Sequence, residues 1–312
     1  MKPKIAFYWC AACGGCEEAV VDLDEEILAI ANAVEIVFWP VALDFKLKDL
    51  LSLPDGSILA AFLNGAIRNS DQREMAELLR AKAKLIVAFG TCAQLGGIPG
   101  LANLSTTSEI VREVYRDGVA PARVSQQNGH TLTLPELFDR VAALDQVIDV
   151  DYYVPGCPPT HKIISAALET LLGSELPPKG AVLAPDQALC EQCPRKDSRP
   201  ENLLIGQLKR PHQVVADQQT CLLAQGLVCL GPATRAGCEA LCVRGNMPCT
   251  GCFGPTSRVR DFGGKALSAV ASIIDRNEEA AISRVLDAIP DPAGTFYRYS
   301  LPSSLLGRKG ME

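Results

Sequence analysis

Thirteen cysteines in a chain of 312 residues limit what this sequence can fold into more than any other feature. They include four C-x-x-C pairs, two of which share Cys13. That spacing is too short for most disulfides and is well suited to a metal ion or a metal cluster. Disulfide frameworks are typical of secreted chains below about 100 residues, whereas this chain is much longer and its cysteine count is odd. The pattern therefore favours metal ligation over disulfides.

Composition restricts the partners of the chain. It is 48% hydrophobic and 21% charged with a net charge of −6, which is globular and disfavours nucleic-acid and anionic-membrane partners, because both require a basic face. The longest apolar runs have the length of a strand, far short of the ~20 residues that span a bilayer. The start of the chain has two lysines and a short apolar run that leads into a cysteine motif, which is not typical of an export signal. A cytoplasmic location without a membrane span is expected.

Residues 1–175 alternate between strand-like and helix-like segments, which predicts an α/β domain. Near-continuous apolar strands separated by amphipathic helices indicate a parallel sheet covered on both faces. Their order resembles a flavodoxin-like, doubly wound fold. Residues 98–134 break the alternation and read as a surface insertion. The predicted strands are Lys4–Trp9, Glu35–Trp39, Ser57–Leu63, Leu85–Phe89 and Asp149–Val154, and the helix-like segments are Glu17–Ala33, Asp71–Ala83 and His161–Leu172.

Residues 176–312 are predicted to form a second, cysteine-rich domain that is mostly irregular and helical. A linker over 173–180 precedes it. Between 190 and 252 the sequence has eight cysteines, six glycines and five prolines but little periodicity. Such a segment is expected to bury little apolar surface, so that bound metal must supply much of its order. Helical periodicity returns over 264–290.

Three cysteine segments of the first domain each lie directly after a predicted strand. The carboxyl ends of parallel strands meet at one sheet edge, where open α/β sheets build their sites. Four thiolates converging there match the ligand set of a [4Fe–4S] cluster, and glycines beside them let the backbone approach the cluster. The segments are Cys13-Gly-Gly-Cys16, Gly90-Thr-Cys92 and Pro155-Gly-Cys157-Pro-Pro.

Eight further cysteines suffice for two more four-coordinate sites. Zinc also binds C-x-x-C pairs, but the interior four cysteines here are spaced irregularly, and three redox clusters side by side form an electron path. We favour clusters and keep structural zinc as the alternative. Contiguity suggests one set of Cys190, Cys193, Cys221 and Cys229, and another of Cys238, Cys242, Cys249 and Cys252.

The remaining candidate residues receive structural interpretations. Cys10 still belongs to the first strand and is taken as a spare structural thiol. The three histidines, at positions 130, 161 and 212, are expected at the surface or in packing, because cysteines already fill three sites. Glu17 and Glu18 begin a helix, where a favourable interaction with the helix dipole is preferred over a proton-carrying role.

Taken together, the motifs resemble the small subunit of [NiFe] hydrogenases, and most closely the cytoplasmic, methyl-viologen-reducing type that is associated with heterodisulfide reductase. The residues that carry this resemblance extend over nearly the whole chain. The sequence departs from the pattern at Asn64, where an acidic residue is expected before the glycine. The motifs are Cys13-Gly-Gly-Cys16-Glu17, Gly90-Thr-Cys92 with Gly96-Gly97-Ile98-Pro99, and Pro155-Gly156-Cys157-Pro158-Pro159.

The resemblance implies that the chain is the electron-transfer subunit of an oxidoreductase and has no catalytic residue of its own. Its three clusters would carry electrons from a nickel–iron large subunit to a further iron–sulfur or flavin subunit. An iron–sulfur relay whose large subunit has lost nickel remains the alternative function. The implied ligands are Cys13, Cys16, Cys92 and Cys157 for the proximal cluster, Cys238, Cys242, Cys249 and Cys252 for the medial one, and Cys190, Cys193, Cys221 and Cys229 for the distal one.

Overall fold

A computed structural model describes residues 2–115, 123–275 and 279–307 of the chain. The strands in that part are β1 (Lys4–Trp9), β2 (Glu35–Phe38), β3 (Ile58–Asn64), β4 (Ile67–Asn69), β5 (Ala83–Phe89), β6 (Val124–Gln127), β7 (His130–Thr133), β8 (Leu137–Ala142), β9 (Tyr152–Val154) and β10 (Ala181–Val182). The α-helices are α1 (Gly15–Val21), α2 (Glu26–Ala33), α3 (Leu47–Ser52), α4 (Ser70–Lys82), α5 (Thr91–Leu95), α6 (Thr107–Val114), α7 (His161–Leu172), α8 (Leu241–Arg244), α9 (Phe262–Ala271), α10 (Glu279–Leu286) and α11 (Pro292–Phe296).

The main sheet has six strands in the order β10-β9-β5-β3-β1-β2, and every pair is parallel. Strand alternation places Phe7 and Phe62 on one face, where α1 and α7 cover them, and Ala61 and Ile86 on the other, where α4 covers them. Burial on both faces explains why the strands are apolar at nearly every position. The predicted doubly wound α/β fold is confirmed.

The predicted strands and helices are present, although several bounds differ and some short elements, such as α3, were not predicted. The acidic stretch Glu17–Ala33 forms two helices, α1 and α2, and Asp24 between them adopts a left-handed backbone with φ +50°, which a right-handed helix cannot include. The strand predicted from Asp149 begins at Tyr152. The two-residue strand β10 was not predicted, and it pairs with β9. It lies after the predicted domain boundary at residue 175, and that boundary remains a prediction.

The region predicted as a surface insertion contains α6 and the hairpin β6–β7. Part of it, residues 116–122, lies outside the described residues. Just after it, β8 pairs antiparallel with β4 and forms a second, two-stranded sheet. The insertion therefore returns the chain to the main domain beside the end of β3.

The cysteine-rich half buries more apolar surface than we expected from its lack of periodicity. Its leucines collect in two cores, one packed around α9 and the other around Leu189 and Leu227. Helix α9 begins two residues before the predicted start, because the carboxylate of Asp261 caps it by accepting a hydrogen bond from the Gly264 amide at 2.8 Å. Irregular turns, more than regular helices or strands, bring these leucines together from distant parts of the chain.

A buried carboxylate stabilises the part of the main sheet around β5 and β9. Asp151 is 4% exposed and accepts hydrogen bonds from the Ile86 amide at 2.8 Å, from Arg80 Nη1 at 2.6 Å and from Lys179 Nζ at 2.6 Å. Burial raises the pKa of Asp151, but the bonds from Lys179, Arg80 and Ile86 outweigh it and hold the pKa below its usual range. The carboxylate thus joins β5, α4 and the segment before β10.

Replacing Asp151 by Asn should lower the free energy of unfolding by about 2 kcal/mol, because hydrogen bonds to a charged group are lost in a buried setting. Thermal unfolding of the assembled protein measures this as a fall in Tm. Asp149→Asn is the matched control, since that side chain is exposed on the same segment. Equal Tm values for the two variants would contradict the role of Asp151.

Candidate metal centres

Four cysteines lie at the carboxyl ends of three parallel strands of the main sheet. Cys13 and Cys16 follow β1, Cys92 lies in α5 directly after β5, and Cys157 follows β9. Cys16 and Cys92 are buried, Cys157 is half-buried and Cys13 is exposed. Because these strands run parallel, their loops meet at one edge of the sheet, as expected.

The thiols of this group interact with one another. Burial, followed by the charges of Cys92, Cys157 and Cys13, raises the pKa of Cys16. Burial and the charge of Cys157 raise the pKa of Cys92 to about 12. The structure therefore brings the four predicted ligands together, in surroundings where only an added positive charge would favour their thiolate forms.

Two glycines give these sulfurs their space. A Cβ on Gly90 would lie 2.4 Å from Cys16 Sγ, and a Cβ on Gly97 would lie 2.4 Å from Cys92 Sγ. Both glycines have positive φ, +82° and +57°, which side chains rarely adopt. Only glycine therefore leaves room for sulfur atoms, and for a group bound to them, at these positions.

Cys10 lies apart from this group. It is 6% exposed and packs with Ala6, Leu63 and Ile67 on the sheet face opposite to that of Cys16. Burial, and then the charge of Asp71, raises the pKa of its thiol to about 12. This placement agrees with its interpretation as a structural thiol.

The other eight cysteines also interact in groups. Burial raises the pKa of Cys190, and the charges of Cys229, Cys193 and Cys221 also act to raise it. Burial likewise raises the pKa of Cys252, as do the charges of Cys238 and then Cys242. Burial raises the pKa of Cys249, and among the cysteines the charge of Cys229 in the other group raises it more than that of Cys252 in its own group. The division of these eight cysteines into two groups remains a prediction.

The four cysteines between 238 and 252 line a cavity of about 920 Å³, which Cys157 of the first group also lines. Cys238 precedes the short helix α8, and Cys242 lies in it. Cys249 and Cys252 lie in the turns after the helix. The cavity offers ample room for a cluster of iron and sulfide, although much of it is an open cleft.

Backbone amides connect the three groups. The amide of Cys157 lies beside Cys252 Sγ and acts to lower the pKa of that thiol, and both cysteines line the same cavity. The amide of Cys249 donates to Cys229 Sγ at 3.3 Å. Each connection joins a cysteine of one group to a cysteine of the next, so the group between 238 and 252 lies between the other two.

The spacing of the thiols bears on the kind of metal site that they could form. Among the described residues, no three Cys, His, Asp or Glu side chains are close enough to hold one metal ion. An iron–sulfide cluster separates its four thiolates more widely than zinc does, because the metal and sulfide atoms lie between them.

The histidines and the N-terminal acids complete the site residues considered from sequence. His130 and His212 are exposed, and His161 lies 3.2 Å from the carboxylate of Glu26. Glu17 begins α1, as expected, but its burial was missed. It is 6% exposed and accepts a hydrogen bond from the Trp39 indole; burial raises its pKa, which that bond partly offsets.

Asn64, the residue at which the sequence departs from the expected motif, ends β3 and is 1% exposed. Neither polar atom of its carboxamide has a hydrogen-bond partner within the described ranges. The substitution of an amide for an acid therefore leaves a buried polar group beside the sheet edge that carries the first cysteine group.

Solved structures share this fold. The chain aligns with one from the [NiFeSe] hydrogenase of Dm. baculatum at 19% identity and a TM-score of 0.52, covering 82% of this chain and 95% of that one. A chain of the [NiFeSe] hydrogenase of Desulfovibrio vulgaris Hildenborough gives a TM-score of 0.51 at 17% identity, covering 82% and 94%. The likeness shows the fold, an α/β parallel-sheet domain followed by a cysteine-rich region.

Sequence relatives define the family. Residues 13–171 match the family model described as NADH ubiquinone oxidoreductase, 20 Kd subunit. The iron–sulfur subunit of the F420-non-reducing hydrogenase of Archaeoglobus profundus is 40% identical over 99% of both chains. A subunit of the F420-non-reducing hydrogenase of Methanothermobacter thermautotrophicus is 37% identical over 99% of this chain and 97% of that one. The chain belongs to the family of hydrogenase small subunits, and it is the electron-transfer subunit of an oxidoreductase with a large partner subunit.

Replacing Gly90 by Ala should abolish metal binding at the site proposed for the first cysteine group, because the new methyl group would lie 2.4 Å from Cys16 Sγ and displace it. We expect about four fewer irons per chain, the content of one cluster. Gly180→Ala is the matched control, since Gly180 has a similar φ of +85° but nothing within 4 Å of an added Cβ. Iron analysis of both purified variants provides the test, and equal iron contents would contradict it.

Proposed function

We propose that this chain relays electrons between a nickel–iron large subunit and a further redox partner through three [4Fe–4S] clusters. The observation that carries the proposal is the pair of amide-to-sulfur contacts, Cys157 to Cys252 and Cys249 to Cys229, which arrange the cysteine groups in a row. In this order the sheet-edge group is proximal, the group between 238 and 252 is medial, and the group between 190 and 229 is distal.

The proposed ligands act through their sulfur atoms, and the surrounding chain sets their environment. Each bound cluster would supply one-electron oxidation and reduction. The chain contributes burial, which excludes water, and N–H donors, which stabilise the charge on sulfur. The restriction at Gly231, beside the distal group, is weaker than at Gly90, since a Cβ there would lie 3.4 Å from Cys190 Sγ, an ordinary van der Waals distance.

The partners of the chain follow from its relatives and from its motifs. The relatives are named as subunits of hydrogenases, which supports a hydrogen-oxidising large subunit and does not favour the nickel-free relay. A downstream iron–sulfur or flavin subunit, an association with heterodisulfide reductase and a cytoplasmic location rest on the sequence resemblance. Within the described residues, no helix is long and apolar enough to cross a membrane.

Metal analysis of the anaerobically purified complex tests the cluster proposal. We expect about twelve irons on this chain, four for each cluster, and no zinc. Hydrogen-dependent reduction of a viologen dye by the same sample tests the link to hydrogen. One or two zinc ions with little iron would overturn the clusters, and a large subunit without its own pair of C-x-x-C motifs would overturn the hydrogen chemistry.

A pair of cysteine variants tests the proximal ligands. Cys92→Ala should lose about four irons, because three thiolates no longer complete the site. Cys10→Ala should keep its full iron content, since Cys10 lies on the opposite face of the sheet. Both substitutions remove one buried thiol, so a difference in iron content reports ligation. Unchanged iron in Cys92→Ala would refute the assignment.

A further inference from the structure

A buried arginine lies between the distal and medial cysteine groups. Arg195 is only 4% exposed. Its guanidinium donates to the carbonyls of Asp217 at 3.0 Å, Thr220 at 3.4 Å and Val243 at 3.1 Å, and to Asn246 Oδ1 at 2.8 Å. The four acceptors come from two separate segments of the cysteine-rich half.

Each of these segments carries a proposed cluster ligand next to the contact. Arg195 itself is two residues after Cys193, Thr220 directly precedes Cys221, and Val243 directly follows Cys242. The first two cysteines belong to the distal group and the third to the medial group. Arg195 is therefore close in sequence to a proposed ligand of the distal group. It also donates hydrogen bonds to residues that adjoin proposed ligands of both groups.

All four acceptors that Arg195 uses in the described part of the chain are neutral. Asp217 supplies its carbonyl, while its exposed carboxylate accepts from the amides of Gln219 and Thr220. Removing a positive charge from water is costly unless a negative charge compensates it. The nearby proposed clusters would supply that charge, because four thiolates leave an iron–sulfur cluster net negative.

A second buried arginine shows the contrast. Arg235 is 3% exposed and donates to the carbonyls of Ala184, Pro185 and Pro255, which is a similar set of backbone contacts. It also forms an ion pair with Asp186 at 2.9 Å. Its charge is therefore balanced within the chain, whereas among the described residues the charge of Arg195 is balanced by dipoles and by the exposed carboxylate of Asp217.

We propose that Arg195 is the buried counter-charge of the distal and medial clusters, and that it raises the reduction potentials of both. This inference rests on the proposed function. A fixed positive charge in a low-dielectric setting stabilises the reduced, more negative cluster over the oxidised one. Arg195 thereby acts as a positioning residue that both joins the ligand segments and sets the potentials of the last two steps of the relay.

Asn246 allows the charge to be cancelled without removing the arginine. Asn246→Asp would place a carboxylate where Oδ1 now accepts from Arg195, and aspartate tolerates the left-handed backbone of this residue, which has φ +60°. Asn246→Gly is the matched control, because it loses the same bond from Nδ2 to the Ala216 carbonyl without adding charge. Arg195→Met removes the charge, and Arg195→Lys keeps it while losing the fork of hydrogen bonds.

The test is an EPR-monitored redox titration of the purified complex, with iron content and Tm measured on the same samples. We expect Asn246→Asp and Arg195→Met to lower the equilibrium constant for reduction of two of the three clusters about tenfold, or about 59 mV for one electron. Arg195→Lys and Asn246→Gly should lower Tm but leave the potentials unchanged. The third potential, that of the proximal cluster, should stay constant in all four variants.

The outcomes separate the two proposals. Fewer than three clusters in the wild-type complex would overturn the proposed function. Three clusters whose potentials do not respond to Asn246→Asp would overturn the role of Arg195 alone. So would an Arg195→Lys variant whose potentials fall as far as those of Arg195→Met, since the loss would then follow the hydrogen bonds and not the charge. If Arg195→Met does not assemble, Asn246→Asp and its glycine control still decide the question.

Discussion

The thiols of Cys16 and Cys92 lie buried beside one another, and burial together with the charges of neighbouring thiols raises their pKa values. A fold that collects thiols in this way gains nothing from their ionisation, so it must hold them in place by other means. Bound metal would reverse the balance, since it stabilises thiolates and converts their repulsion into ligation. The surrounding elements therefore act mainly to keep sulfur atoms in position.

The two halves of the chain achieve this differently. In the first half, parallel strands deliver the cysteine loops to one edge, and the sheet is held by two apolar cores and by Asp151. In the second half, turns carry the cysteines, and leucine clusters and the buried forks of Arg195 and Arg235 hold the turns. The halves are joined beside the proposed clusters, where Thr91 Oγ donates to the carbonyl of Cys252.

Sequence reasoning succeeded where a local signal and its structural cause coincide. Helix α7 and strand β1 have the predicted bounds because their apolar spacing is regular. The convergence of the first four cysteines could be predicted because their loops follow parallel strands, whereas the grouping of the other eight remains a prediction. Glu17 was different, because its burial depends on Trp39, which reaches it from the end of β2. Strand β10 and the core around Leu189 and Leu227 have no periodic pattern and depend on long-range packing.

The backbone connections between the cysteine groups also bear on electron transfer. The amides that connect successive cysteine groups belong to Cys157 and Cys249, residues that are themselves proposed ligands. A displacement of one group would thus move a hydrogen-bond donor of the next, so spacing and potential are coupled through the backbone. Such coupling favours rigid connections over side-chain contacts, because an amide attached to a ligand cannot change its position independently of that ligand. The buried hydrogen bonds of the Arg195 guanidinium then stiffen the turns between the proposed ligands, which would allow an irregular segment to hold two of the three proposed sites.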